Sequence, residues 1–375
     1  MPALTLKARE ERRLLRGHLW VYRNELAQMP TLEDGTLVDV FSAERRFVGR
    51  GFYQREGGIA ARLLSRHQEE IDANFWRARL DAARVWREQL FPNAQSYRWI
   101  FGESDGFPGL VVDRYGAAVV VRAAAAFYDA HAETLAGLML EQPGVEGVLF
   151  DLPHETQRHG ALPERYTVQL EGLEFEIDAS QTQKTGLFLD QRLNSAHIAG
   201  FCKDARVFDG HCYHGQWALH AARGGAASVL GVDSSAAAIA QAEANAARNG
   251  YAARCTFRCA QVEEVLAEEE EPFDVILLDP PAFAKSRGQA KKALGRYQAL
   301  NALAMQKVRP GGLLVSSSCS HFIDRDSFLE TIKRAAASAR RTVWLCEFRG
   351  AAPDHPVLLA MPETAYLKCA FLRIL

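Results

Sequence analysis

From about residue 200 the chain alternates short apolar runs with helix-like segments, and this alternation constrains the fold more than any other feature. Arg206–Asp209, Ser228–Asp233, Cys255–Cys259, Phe273–Asp279 and Leu313–Ser318 read as strands, and Gln216–Arg223, Ala236–Asn249, Gly295–Val308 and Asp326–Ala337 as helices. Strands that are apolar throughout must be covered on both faces, and parallel neighbours need crossover helices. The pattern therefore predicts an α/β fold built on a doubly wound parallel sheet. Thr342–Phe348 and Tyr366–Ile374 have no helix between them and are expected to close the sheet as an antiparallel pair at its edge.

The first 200 residues follow other rules. Thr36–Phe41, Phe47–Tyr53 and Ile59–Leu64 are β-prone runs punctuated by glycines, so residues 1–70 read as a small β-rich module. A helix is expected over Asp72–Leu90, with Phe75, Leu80, Ala83, Val85, Trp86 and Leu90 at roughly helical spacing and Pro92 ending it. Residues 95–178 read as an α+β block. It has strands at Gly109–Tyr115, Ala118–Arg122 and Gly147–Leu152, a helix at Tyr128–Leu140, and a hairpin turning at Glu171-Gly172. The run Glu268–Glu271 reads as a solvated helix end or loop.

Composition narrows the class. The chain has 375 residues, of which 48% are hydrophobic and 24% charged, enough for two or three globular domains and inconsistent with disorder. Ala117–Tyr128, the best apolar run, is broken by Arg122, which argues against a membrane span. The opening MPALTLKAREERRLL lacks the apolar core of a secretory signal. Seven cysteines with no C-x-x-C pair then read as reduced thiols of a cytoplasmic protein. A net charge of −2 excludes a uniformly basic nucleic-acid coat but leaves room for local patches. One patch is Lys7, Arg9, Arg12, Arg13 and Arg16. Another is a loop bearing Lys285, Arg287, Lys291, Lys292 and Arg296, with no acidic residue from Ala282 to Arg296.

Ligands of a doubly wound sheet bind outside the carboxyl ends of its strands. Here those ends carry Asp209, followed by Gly210-His211-Cys212-Tyr213-His214-Gly215, then Asp233, then Asp279-Pro280-Pro281-Ala282-Phe283. A carboxylate such as Asp233 can accept both hydroxyls of a ribose. A nicotinamide cofactor would call for G-x-G-x-x-G, which Gly210 and Gly215 do not supply. S-adenosylmethionine, with an amino-acid head, a sulfonium and an adenosine, suits acidic strand ends better. His211, Cys212, His214 and His220 could in principle ligate zinc, but their spacing matches no common site, so no metal is expected. Cys255 and Cys259 read as small buried thiols on one side of a strand.

Val207–Asp233, Asp279-Pro280-Pro281 and Ser318-Cys319-Ser320 together resemble class I methyltransferases that use S-adenosylmethionine. More narrowly, the chain resembles the large-subunit ribosomal RNA cytosine-C5 methyltransferase I family. The matching segments are Arg16–Tyr22, Gly102–Leu110, Gln183–Arg192 and Pro353-Asp354-His355-Pro356, and they run nearly end to end. The resemblance implies a PUA-like RNA-binding domain over residues 1–70, a central α+β domain over 71–180, and a methyltransferase domain with a Rossmann-like core over 181–375. It implies cofactor contacts from Phe188, Asp190, Asp209, Cys212, Tyr213, Gly215, Asp233, Ser234, Gln261 and Asp279. Ribosomal RNA, of the 23S kind, would be the partner, phosphates would meet Lys285, Arg287, Lys291 and Lys292, and a homodimer is admitted. Departures from the family pattern fall at His211 and His214 in the glycine-rich turn and at Gln261, where an adenine-binding aspartate is usual. The Gln261 amide oxygen could accept the same hydrogen bond.

Carbon 5 of cytosine is a poor nucleophile, and a thiolate adding to carbon 6 makes it reactive. Cys319, just past the strand Leu313–Ser318, is placed for that role, and the resemblance puts the catalytic cysteine there too. By resemblance Asp279 contacts the cytosine edge. His321 is a weak candidate for the base that removes the carbon-5 proton. Two alternatives stay open. One is methylation of a guanine N2 or adenine N6 amino group, since an acidic residue followed by Pro-Pro and an aromatic is common there and needs no thiol. The other is a non-catalytic RNA-binding factor of ribosome assembly.

Overall fold

The computed structural model describes residues 1–178, 186–284 and 286–375. The chain forms two compact units. The first comprises Met1–Val168, Ile177–Gly186 and Pro353–Thr364; the second comprises Gln169–Glu176, Leu187–Ala352 and Ala365–Leu375. No described helix is long and apolar enough to cross a membrane.

The first unit carries two five-stranded sheets. One orders Ala3–Thr5, Leu37–Phe41, Phe47–Tyr53, Ile59–Ser65 and Trp20–Tyr22, with only the first pair parallel. Gly51 is required in it: a Cβ there would lie 2.0 Å from the Arg62 carbonyl oxygen of the next strand. The other sheet orders Thr156–Gly160, Gly147–Asp151, Ala118–Ala123, Leu110–Tyr115 and Ser96–Phe101. The strands Ala3–Thr5 and Trp20–Tyr22 carry too few residues to show an alternation in the sequence.

The helix Ala73–Leu90 starts where the Asp72 carboxylate caps the Phe75 amide at 2.9 Å. Its buried stripe is Phe75, Trp76, Leu80, Ala83 and Arg87, whereas Val85 and Trp86, expected inside, are exposed. Residues 76, 80, 83 and 87 recur at i+3/i+4 spacing, and 85 and 86 fall off that line. Arg87 is tolerated inside because its guanidinium pairs both oxygens of Asp105 at 2.7 Å and also reaches the Arg98 and Asp354 carbonyls. The expected helix Tyr128–Leu140 is a 3-10 segment to His131 and α-helical only from Ala132. The first sheet has its own apolar core around Leu6, Val21, Val38 and Leu63, but sends Phe52 and Leu64 into the core of the second block. Phe52 stacks on Phe127 at 4.4 Å, and Glu103 accepts from both Trp20 Nε1 at 2.8 Å and Arg62.

The second unit is the doubly wound sheet. Its spatial order is Cys255–Cys259, Ser228–Asp233, Arg206–Gly210, Phe273–Leu278, Val308–Ser318, Lys368–Ile374 and Val343–Arg349. The first five strands are mutually parallel, and Lys368–Ile374 runs antiparallel to both its neighbours, as the missing helix implied. Helices Gln216–Arg223, Ala236–Arg248, Val262–Glu268, Ala290–Lys307 and Arg325–Ala339 supply the crossovers, and the last three bury the apolar cluster around Phe208, Ile276, Leu314 and Phe328. The hairpin turns at Glu171 and Gly172, with φ of 48° and 75°, the left-handed pair that a tight two-residue turn requires. Cys255 is buried, but Cys259 is exposed where the strand runs out from under its cover, so only the first of the two thiols is a core residue.

His220 is buried in helix Gln216–Arg223, and burial, helped by Arg223, pushes its pKa down from 6.5 to about 3. The unfolded chain therefore takes up a proton below pH 6.5 that the folded unit refuses until about pH 3. Stability is expected to fall across that window by up to about 1.4 kcal/mol per pH unit from this group. Urea midpoints at pH 7, 6 and 5 for the wild type and His220→Leu measure it; equal slopes would refute the assignment.

Candidate cofactor and catalytic site

Four strand ends meet at one edge of the second unit's sheet: Gly210, Asp233, Asp279 and, after Ser318, Cys319. The first turn is built by backbone. The His211 and Cys212 amides both donate to the Val232 carbonyl, at 2.8 and 3.1 Å. His211, Tyr213 and Gly215 have φ of 65°, 49° and 81°, so the chain curls tightly before the helix that opens at Gln216. Left-handed His and Tyr are strained, which is a mark of functional turns. A Cβ on Gly215 would also press on Ala242 at 3.3 Å. Tyr213 stacks on His214 at 3.7 Å and meets Phe188 edge-on at 5.0 Å.

A cleft beside this turn is lined by Leu187, Phe188, His211, Cys212, Tyr213, His214, Gln216, Trp217 and Asp279. Of the expected cofactor residues, Phe188, Cys212, Tyr213 and Asp279 are thus brought together. Asp233 borders them: its carboxylate accepts from the Tyr213 amide at 3.1 Å and the Ser235 amide at 2.9 Å. Asp209 is wholly buried, with Oδ2 accepting from the Ala218 amide at 2.9 Å and Oδ1 without a partner among the described residues. Burial pushes its carboxyl well above the usual range, the Ala218 bond pulls against it, and the charges of Asp279 and Asp233 add to the rise. Ser234 and Gln261 are exposed and lie outside the lining; Gln261 precedes the helix Val262–Glu268 without capping it through its side chain. Asp190 is buried; its carboxylate accepts from the Tyr366 hydroxyl at 2.5 Å. Burial keeps His211 and His214 low, His214 at about 4, so both are neutral at pH 7. Among the described residues no group of three or more His, Cys, Asp or Glu side chains converges to hold a metal ion.

Asp279 is oriented by two residues that sequence reasoning missed. Gln191 Nε2 donates to Oδ1 at 3.1 Å and Trp217 Nε1 to Oδ2 at 3.2 Å. Gln191 lies inside a segment quoted for the resemblance, but nothing in the sequence marks Trp217. Cys319 is half-buried, with its Sγ 3.9 Å from the Pro280 carbonyl oxygen, so the thiol and the Asp279-Pro280 turn are neighbours. His321 stacks on Tyr366 at 5.0 Å. Arg287, Lys291 and Lys292 are exposed, and Lys285 lies outside the described residues. The expected basic loop is in fact mostly helical. A 3-10 turn spans Arg287–Gln289, and Lys291 and Lys292 sit in the first turn of Ala290–Lys307. Lysine is a good helix former, so the helix extends upstream of its apolar periodicity.

A doubly wound seven-stranded sheet with an antiparallel closing strand and acidic strand ends around a glycine turn is the framework of class I methyltransferases. Comparisons agree. A PUA-like domain model matches residues 4–66, and an S-adenosylmethionine-dependent methyltransferase model matches residues 157–361. The chain is 35% identical over 395 aligned residues to a Shewanella denitrificans protein named ribosomal RNA large subunit methyltransferase I, covering 99% of each chain. A protein of the same name from Alteromonas mediterranea is 33% identical, with 97% of this chain and 96% of that one covered. Among solved structures, an S-adenosylmethionine-dependent methyltransferase from Streptococcus mutans superposes with a TM-score of 0.88 over 100% of both chains at 19% identity, a likeness of fold. A further methyltransferase, SMU.776, solved with SAH, gives 0.89 at 19% identity and the same coverage. The chain belongs to the S-adenosylmethionine-dependent methyltransferase family.

The residues present fit this cofactor. The orphaned Oδ1 of Asp209 lacks the kind of donor that a methionine ammonium provides. The carboxylates of Asp233 and Asp279 lie at the same sheet edge, a field that favours a sulfonium. Bound there, the cofactor supplies an electrophilic methyl group.

Proposed function

We propose that this protein methylates carbon 5 of a cytosine in large-subunit ribosomal RNA, 23S in kind, through a covalent adduct on Cys319. The observation that carries the reading is the placement of the Cys319 thiol 3.9 Å from the carbonyl of Pro280, the residue that follows Asp279, whose carboxyl Gln191 and Trp217 hold. The curated relatives' name, ribosomal RNA large subunit methyltransferase I, supports the substrate class. Such a substrate implies work in the cytoplasm.

In this reading the Cys319 thiolate forms a bond to carbon 6, and the electron pair of the ring double bond moves to carbon 5. Carbon 5 takes the methyl group, a base removes its proton, and elimination of the thiolate restores the double bond. Asp279, held at the ring's polar edge, stabilises the negative charge that builds during addition by donating a hydrogen bond from its protonated carboxyl. Mapping 5-methylcytosine in ribosomal RNA from cells with and without the protein tests the proposal: one cytosine of the large subunit should lose its mark, and an unchanged map would refute it.

RNA would meet the start of helix Ala290–Lys307. That turn bears Lys291 and Lys292 and no acidic residue, and cations at a helix N-terminus oppose its dipole, so they do not stabilise the helix. With the positive end of the helix dipole they form an anion-attracting surface. Replacing Arg287, Lys291 and Lys292 with alanine is expected to weaken RNA binding and lower the salt slope by about 2–3, with cofactor affinity unchanged. Titrations across salt concentrations measure it; an unaltered slope would make the cluster only a solvated surface.

A further inference from the structure

Behind the Cys319 turn lies a buried cation that the mechanism above does not use. Lys368 is 4% exposed, although lysine rarely gives up water for its ammonium. It opens the strand Lys368–Ile374 in register with Ser318, the residue before Cys319. Its Nζ donates to the Ser320 carbonyl at 2.7 Å and to the Tyr366 carbonyl at 2.6 Å, so it grips the chain just past the thiol. Both acceptors are uncharged, so the burial of this ammonium is not explained by an ion pair at those contacts.

We propose that Lys368 is a positioning residue for Cys319: it fixes the Ser320 backbone, and its positive charge favours the Cys319 thiolate over the thiol. The inference rests on the reading of Cys319 as nucleophile. A cation near a thiol lowers its pKa by stabilising the anion. The coupling is mutual. Burial pushes Lys368 down to about 8, while Cys319 and Asp324 both pull it up. Other titratable groups among the described residues lie around the turn. Asp324 is an ionised helix cap whose charge opposes a thiolate. Tyr297, whose hydroxyl lies 3.3 Å from Ser320 Oγ, is pushed up by burial and stays neutral. His321 is stacked on Tyr366, whose hydroxyl is given to Asp190.

The experiment uses the full chain without RNA. Iodoacetamide labelling of Cys319 is followed by peptide mass spectrometry from pH 5.5 to 10, in the wild type, Lys368→Met and Lys368→Arg. The midpoint of the labelling profile reports the thiol, so differences in intrinsic nucleophilicity do not confuse it. The wild-type midpoint is expected about one unit or more below that of Lys368→Met, with Lys368→Arg between, and kcat should fall in Lys368→Met while KM for RNA holds. An unmoved midpoint in folded Lys368→Met would overturn the inference. So would a wild-type midpoint at or above the free-thiol value of about 8.5, a measurement that needs no variant. Failure of the nucleophile reading looks different: a Cys319→Ala protein would still methylate, whatever the labelling midpoints.

Discussion

Cys319→Ala is expected to abolish methyl transfer while leaving cofactor and RNA binding intact. The thiol lies at the end of Val308–Ser318, outside the cleft lining and next to the Pro280 carbonyl, so its removal leaves the glycine turn and the basic helix end untouched. Cys319→Ser should be equally inactive, because an unactivated hydroxyl is little ionised at neutral pH and a far weaker nucleophile than a thiolate. RNA carrying 5-fluorocytosine should trap a covalent complex with the wild type, since fluorine cannot leave as a proton. Amino-group methylation predicts activity without the thiol and no adduct. An assembly factor predicts neither. One denaturing gel of wild type and variant with fluorinated RNA separates the three, and a Cys319→Ala protein that still methylates carbon 5 would end the covalent reading.

Asp279→Ala should lower kcat by about 100- to 1000-fold, the scale of losing one preorganised group aimed at developing charge. The pre-organisation is visible: both carboxylate oxygens are engaged, by Gln191 and Trp217, so the side chain is held in place. Trp217→Phe removes one of those donors and leaves the carboxylate; a smaller loss, roughly tenfold, is expected from looser orientation. Because Asp279 also lines the cofactor cleft, calorimetry with S-adenosylmethionine must accompany single-turnover rates. A rate unchanged in Asp279→Ala would remove the residue from the chemistry.

The second unit was legible because its strands are buried on both faces and therefore apolar throughout, and because Asp209, Asp233 and Asp279 terminate three of them. The closing pair was legible from a missing helix. The first unit was less so. Three-residue strands carry no period, and the helix Ala73–Leu90 contains more apolar residues than its buried stripe needs, so Trp86 read as core while Trp76 and the ion-paired Arg87 are the ones inside. The partners of Asp279 and the cation behind Cys319 were out of reach for another reason. Gln191, Trp217 and Lys368 come close to the site only through tertiary packing, and a buried lysine in a strand breaks the apolar pattern without saying why.

The stacking of Phe52 on Phe127, and the sharing of Glu103 by Trp20 and Arg62, bear on how such a chain can be dissected and how it can evolve. A seam near residue 70 looks like the natural place to cut, because the sequence changes character there. Cutting at that seam would strip the cover from Phe127 and Tyr128 and leave Glu103 without its donors. Recombination that swapped the leading module for one from a distant relative would have to replace both sides of this contact at once. A chimera that kept only one side of the contact is therefore expected to lose stability through a handful of aromatic and charged atoms.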